Sequence, residues 1–77
     1  MEEIKSILFQ KAYYWHNLGL RNLKKSIELE AEGKKKQSKE FHEFWDKDVT
    51  RELAIMDVII EMGMIEEYKK FKEYREQ

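Results

Sequence analysis

Two histidines are the side chains of this sequence best suited to metal or acid–base chemistry. His42 is followed one helical turn later by Asp46, so a helix would place the imidazole and the carboxylate on one face. Zinc in proteins normally takes three or four ligands, and the other histidine, His16, falls in a different predicted helix. We therefore interpret His42 and Asp46 as a surface hydrogen bond, and we expect no metal site.

His16 shares an apolar stripe with Leu20, and an antiparallel partner helix would place Leu53 and Met56 beside it. A general base needs an orienting partner and a substrate cleft, and these neighbours provide neither. The sequence also contains no phosphate loop, nucleophile elbow, zincin helix or EF-hand loop. We therefore expect His16 to be packed, and we expect no catalytic residues, no cofactor, no small-molecule substrate and no enzymatic activity.

The stretch "GKKKQSK" is basic and could contact phosphates. Phe44 and Trp45 lie nearby and could stack on bases. The same end of the protein carries glutamates that largely cancel this charge: Glu28, Glu30, Glu32, Glu40 and Glu43. Binding of nucleic acid by the Lys34–Lys39 tip is therefore the alternative function and not the leading one.

Length and charge restrict the class of protein. The 77 residues allow a single domain, spanning 1–77, and the absence of cysteine excludes disulfides and thiolate metal sites. With 15 basic and 16 acidic residues, the net charge of −1 creates no global field toward nucleic acid or membrane. No apolar run approaches the roughly 20 residues of a membrane span, and "MEEIKS" lacks the basic start of a signal peptide. We expect a cytoplasmic protein.

Glycines and turn residues divide the chain into three predicted helices at about 2–32, 38–62 and 64–76. Gly33 and Gly63 suit the left-handed position that ends a helix, and Ser38 suits the N-cap of the second helix. Gly19 interrupts the first helix, but a seam of apolar spacing continues past it, so we predict an unbroken helix. The rival prediction is a C-cap at Gly19. The seam contains Phe9, Tyr13, His16, Leu20, Leu23 and Ile27.

The predicted fold class is all-α, a long antiparallel helical hairpin with a short C-terminal helix, completed by dimerisation into a larger bundle. Within the hairpin, Tyr13 and His16 are expected to face the second helix and Trp15 the third. Tyr14 is expected at the surface, either in water or against a partner. Successive side chains on a helix turn by roughly 100°, so these four neighbours cannot share one face.

The first helix is too long for a compact protein of this size. About 31 residues span near 46 Å, whereas a compact chain of this length is about 30 Å across. The third helix spans only about 18 Å and cannot cover both ends of the hairpin. The distal arm should therefore expose apolar side chains, and such patches usually mark an interface. The predicted partner-binding residues are Leu20, Leu23, Ile27, Phe41, Phe44 and Trp45, with secondary contacts from Tyr14, Lys34, Lys35 and Lys36.

These features favour a non-enzymatic protein–protein interaction module that forms a homodimer, or that binds and modulates another protein through its aromatic arm. The abundance of Lys, Glu and Ile is typical of AT-rich bacterial or phage genomes. A small accessory or inhibitor protein of a phage or mobile element would fit this length and composition.

Overall fold

A computed structural model describes residues 2–77, which form three α-helices and no strand. Helix α1 covers Glu2–Ala31, α2 covers Lys35–Glu61 and α3 covers Ile65–Glu76. The two long helices pack along each other as a hairpin, and the short third helix lies against both. The predicted all-α hairpin with a short C-terminal helix is confirmed.

Two glycines end the long helices as predicted. Gly33 and Gly63 adopt φ angles of 79° and 70°, the left-handed region that glycine enters without a steric penalty. After Gly33, the amide of Lys34 donates to the carbonyl of Leu29 at 2.9 Å. After Gly63, the amide of Met64 donates to the carbonyl of Ile59 at 3.0 Å. These bonds satisfy carbonyls at the helix ends, and the chain changes direction after each glycine.

Helix α1 is continuous through Gly19, so the prediction of an unbroken helix is confirmed and the C-cap at Gly19 is wrong. Gly19 is buried against α2, and a Cβ atom placed on it would lie 3.5 Å from Asp48 Cβ and 3.6 Å from Trp45 Cδ1. Ala12 and Ser26, seven residues to either side of Gly19, are buried too. These three small residues let the backbones of α1 and α2 approach closely.

The small residues turn the helix interface away from the predicted apolar seam. Phe9 is buried in the interface as predicted, but Leu20 and Ile27 are 52% and 60% exposed. The prediction of an apolar seam through these two residues is wrong, because Gly19 and Ser26 occupy the contact with α2. Large apolar side chains at heptad spacing were assumed to face the partner helix, whereas close approach favours the small ones.

The start of α2 also differs from the prediction. The helix begins at Lys35, and Ser38 lies one turn inside it. Ser38 is buried, and its hydroxyl donates to the carbonyl of Ser26 at 2.8 Å, while the Ser26 hydroxyl donates to the carbonyl of Ser38 at 2.9 Å. The serine therefore joins the two helices near the tip and does not cap α2.

Helix α3 packs on one side of the hairpin at its base, the end that contains the start of α1 and the turn at Gly63. The Phe9 ring lies 5.4 Å from Tyr68 and 5.6 Å from Phe71, and Tyr13 lies 6.0 Å from Phe71. Lys5 Nζ pairs with a Glu67 carboxylate oxygen at 2.6 Å. The third helix thus covers apolar side chains on one side of the base of the hairpin.

Two of the four consecutive aromatic positions were assigned to the wrong neighbour. Tyr13 faces α3 and not α2, whereas Trp15 faces away from α3, with the Arg51 guanidinium 4.6 Å from its ring centre. The shift follows from the turned interface, because Ala12 occupies the position against α2 that Tyr13 was expected to fill. Tyr14 is exposed, as expected for a surface ring.

The molecule is a rod. Its radius of gyration is 14.8 Å and its extents are 47 × 25 × 16 Å, whereas a compact chain of this length would have a radius of about 11–12 Å. The long axis matches the roughly 45 Å expected for the 30 residues of α1. The predicted protruding arm is therefore confirmed. Across residues 2–77, none of the helices has both the length and the apolar composition needed to span a bilayer.

Candidate protein-interaction surface

The distal half of the hairpin is held together mainly by polar pairs, together with the buried side chain of Leu29 near the tip. Between α1 and α2, the Asn22 amide donates to an Asp48 carboxylate oxygen at 2.6 Å, and the two buried serines lie beyond this pair toward the tip. Asp48 is itself buried. The apolar core, in contrast, lies at the base, where Ile59 is fully buried. Apolar side chains of the arm therefore remain available on the outside of the rod.

His16 is oriented by a carboxylate, contrary to the expectation from the sequence. Its Nδ1 lies 3.1 Å from Glu52 Oε2, and both side chains are largely buried. The predicted neighbour Leu53 points outward and is exposed. The turned interface explains the error, because it brings Glu52 and not Leu53 against α1. The pair joins the two helices and holds the imidazole in one orientation.

The predicted hydrogen bond between His42 and Asp46 does not form within the described chain, residues 2–77. His42 is exposed, and its ring centre lies 5.1 Å from that of Trp45. Asp46 is also exposed, and its backbone carbonyl accepts a hydrogen bond from Thr50. In the same part of the chain, no three His, Asp or Glu side chains cluster closely enough to hold a metal ion.

Burial at the base perturbs one ionisable group. Tyr68 is buried, and among residues 2–77 its hydroxyl has no hydrogen-bond partner. Burial, with a smaller contribution from the negative charge of Glu52, raises the pKa of Tyr68 to about 12. The phenol therefore stays neutral at physiological pH and acts as a packing group beside Phe9 and Phe71.

The predicted partner-binding residues are divided between two faces of the arm. Leu20, Leu23 and Ile27 follow one another along α1 on the side where α3 packs, and Leu23 is half-buried. Trp45, on α2, is half-buried against Gly19 of α1. We call these four residues the distal stripe, because they lie beyond the end of α3. The stripe is Leu20, Leu23, Ile27 and Trp45.

Phe44 belongs to the other face. It precedes Trp45 and is rotated from it by about 100° around the helix, and it lines a cavity with Leu18 and Arg51. The ring of Phe41, which is half-buried, lies 5.6 Å from that of Phe44. The six predicted residues therefore do not form one patch, because adjacent bulky residues on a helix point in different directions.

The face opposite α3 extends from the base to Leu18 and Phe44, and no other helix of residues 2–77 covers it. Ile4, Val58 and Met62 are all exposed there. Ile4 and Met62 line one cavity at the base. The repeat Phe44, Arg51, Val58, with seven-residue spacing, was the signal for this face. We call it the open face, formed by Ile4, Leu8, Trp15, Leu18, Phe44, Arg51, Ile55, Val58 and Met62.

The tip is basic but mixed in charge. Lys34, Lys35 and Lys36 are exposed, and Lys34 Nζ lies 3.3 Å from a Glu32 carboxylate oxygen. The first turn of α2 contains no acidic residue. The lysine charges therefore add to the positive end of the helix dipole.

Comparison of the chain with models of known protein families, with curated proteins and with solved structures gives no match. The surface of the molecule is therefore the basis for inferring its function.

Proposed function

We propose that the chain is a non-enzymatic protein–protein interaction module that associates with a second copy of itself through the distal stripe. The observation that supports this most directly is the exposure of Leu20 and Ile27 beyond the reach of α3. Both are large aliphatic side chains on one face of α1, seven residues apart, which is the spacing of helices that pack at a shallow angle.

The accessible surface of the rod supports association. The chain exposes 5981 Å², whereas a compact monomer of 9.5 kDa would expose about 5,050 Å². The excess of roughly 900 Å² is close to the roughly 800 Å² that each partner buries in a standard interface. One interface of ordinary size would therefore restore the surface of a compact protein.

A twofold axis beside the distal stripe would place the stripe of each copy against the other. Such an interface is self-complementary, as is usual for soluble homodimers. Leu20 and Ile27 would supply apolar contact, and Trp45, half-buried beside Gly19, would supply the kind of aromatic anchor that dominates interface energetics. The polar pairs inside the hairpin would keep the arm folded.

Light scattering on matched variants tests the proposal. Ile27→Asp introduces a charge into the distal stripe, and Ile7→Asp makes the same change at an isoleucine of α1 that is 54% exposed and lies outside the stripe. We expect a mass of about twice 9.5 kDa for the wild type and for Ile7→Asp, and a monomer for Ile27→Asp. A monomeric wild type, or equal masses for both variants, would contradict self-association.

A second candidate function is binding of nucleic acid by the tip, supported by the lysines in the first turn of α2 and the absence of acidic residues there. Phosphate contacts release counterions, so binding should weaken steeply with salt. Fluorescence anisotropy with a labelled duplex, for the wild type and for the Lys35→Glu, Lys36→Glu variant, measures this. Absence of binding at low ionic strength would exclude it.

A further inference from the structure

We propose that the open face binds an acidic amphipathic helix of another protein, which lies lengthwise in the groove between α1 and α2. The inference extends the proposed function, because the distal stripe and the open face are on different sides of the rod. A module with both surfaces could associate with itself and bind a different protein at the same time.

The floor of the groove is apolar and long enough for a helix. It runs from Ile4 and Met62 at the base to Leu18 and Phe44 in the arm. Fourteen residues of α1 separate Ile4 from Leu18, which corresponds to about 21 Å or four turns of a docked helix. Leu8 and Ile55 are half-buried between these ends, beside the core. A partner helix with apolar residues at i, i+4, i+7 and i+11 would fit this floor.

The edges of the groove are cationic. Lys47 and Arg51 line it on α2 together with Phe44, and Lys11 borders it on α1 next to Trp15. Within residues 2–77, none of these three cations is in an ion pair. Two carboxylates line the groove. Asp48 is buried and accepts the Asn22 amide, and Glu2, at the base, lies 3.1 Å from Lys5 Nζ. The charge is therefore complementary to Asp and Glu on the flanks of a docked helix.

Helix α3 shows how this hairpin holds such a helix. On the opposite side of the base, α3 inserts Tyr68 and Phe71 against Phe9. At its edge, Glu67 pairs with Lys5 of α1 at 2.6 Å. An apolar stripe and a flanking carboxylate are thus the features that dock α3. The open face carries the matching floor and cations, and none of the three helices formed by residues 2–77 lies upon it.

The charges disfavour a second copy and nucleic acid as occupants. A twofold contact centred on the arm end of the groove would bring the cations Lys47 and Arg51 of both copies together, and like charges in an interface oppose binding. Nucleic acid would be attracted by the cations. However, the aliphatic floor of Ile4 and Val58 would then lie unused against a phosphate backbone.

The test uses the full chain and a labelled probe peptide of about four turns, with leucine at i, i+4, i+7 and i+11 and glutamate at most other positions. A second peptide replaces each glutamate with lysine, and a third scrambles the order of the acidic one. Fluorescence anisotropy at low and high salt should show binding of the acidic peptide only, with affinity that falls as salt rises. No binding at about 1 mM protein would overturn the proposal.

Charge variants locate the site. Lys47→Glu with Arg51→Glu should weaken binding by about tenfold, because two attractive pairs become repulsive. The matched control, Lys24→Glu with Lys39→Glu, makes the same charge change at exposed lysines outside the groove and should leave the affinity unchanged. Far-ultraviolet circular dichroism confirms that each variant keeps its helices. Equal weakening by both double variants would overturn the proposal, because it would indicate unspecific attraction.

Further measurements distinguish this inference from self-association and from binding of other ligands. The Ile27→Asp variant should bind the acidic peptide as the wild type does, even though it is expected to be monomeric. Loss of peptide binding in this variant would overturn the assignment to the open face. A DNA duplex or anionic vesicles could also displace the labelled acidic peptide. Displacement at a lower concentration than the unlabelled acidic peptide requires would overturn the assignment, because the face would then recognise phosphate.

Discussion

Replacing Gly19 with alanine should stabilise the protein, which is unusual for a buried glycine at a helix contact. The Cβ atom would meet Asp48 Cβ at 3.5 Å, Trp45 Cδ1 at 3.6 Å and Val49 Cγ2 at 4.0 Å. All three distances are ordinary van der Waals contacts, so no neighbour has to move. Each contact contributes about 0.1–0.2 kcal/mol. Alanine is also favoured over glycine inside a helix by about 0.8–1.0 kcal/mol.

The expected gain in the free energy of unfolding is therefore about 1 to 1.5 kcal/mol. For a domain of this size, each 1 kcal/mol corresponds to about 4–8 °C in the melting temperature. Urea and thermal unfolding followed by circular dichroism measure the effect. Wild type and variant must be compared at one protein concentration, because self-association would couple stability to concentration.

Gly33→Ala is the control with the opposite sign. Gly33 has open space around it, but its φ angle of 79° lies in the left-handed region, which costs an L-residue about 1–2 kcal/mol. We expect this variant to be destabilised by about 1 kcal/mol. A loss of more than about 0.5 kcal/mol for Gly19→Ala would refute the reasoning, because it would mean that α1 is bent at Gly19 or that the helices lie closer than these distances.

Three further predictions concern polar groups. Tyr68→Phe should raise the free energy of unfolding by about 1 kcal/mol by removing a buried hydroxyl without a partner. In the wild type, the free energy of unfolding should fall as the pH rises from 10 to about 12. The pKa of Tyr68 is raised in the folded protein, so its phenol loses its proton at lower pH in the unfolded chain. Urea melts of the Phe variant should show little of this fall. Ser26→Ala and Ser38→Ala should each cost about 1 kcal/mol and together less than the sum, since their hydroxyls also meet at 3.1 Å; additive urea midpoints would contradict the shared network. Lys5→Gln removes the pair with Glu67 and should speed amide exchange in α3 at low salt, with a smaller effect at high salt.

The sequence predicted the elements and the shape because these depend on local signals. Gly33 and Gly63 end helices through their own backbone freedom, and the length of α1 was predicted because helical apolar spacing continues past Gly19. The rod shape is then a matter of arithmetic, since a helix of 30 residues cannot fit inside a compact chain of this size.

The rotation of the helices about their axes was not predictable from apolar spacing alone. Two stripes on α1 had heptad spacing, one with the large residues Leu20 and Ile27 and one with the small residues Ala12, Gly19 and Ser26. Hydrophobicity favoured the first, whereas the close approach of two backbones requires the second. This single choice also decided the neighbours of His16 and Trp15, and so the composition of the candidate interaction surface. A pairing of buried polar groups across two helices has no signal in either helix alone.

The polar interior of the arm connects the fold to the proposed function. A hairpin held together by large apolar side chains would have turned Leu20 and Ile27 inward and left little apolar surface for a partner. Here small residues and hydrogen-bonded pairs such as Asn22–Asp48 form the contact between the helices, and these pairs are satisfied in only one register of α1 against α2. The arm therefore keeps a defined shape without a large apolar core, and its aliphatic and aromatic side chains stay on the two outer faces, where a second copy and an acidic helix can reach them.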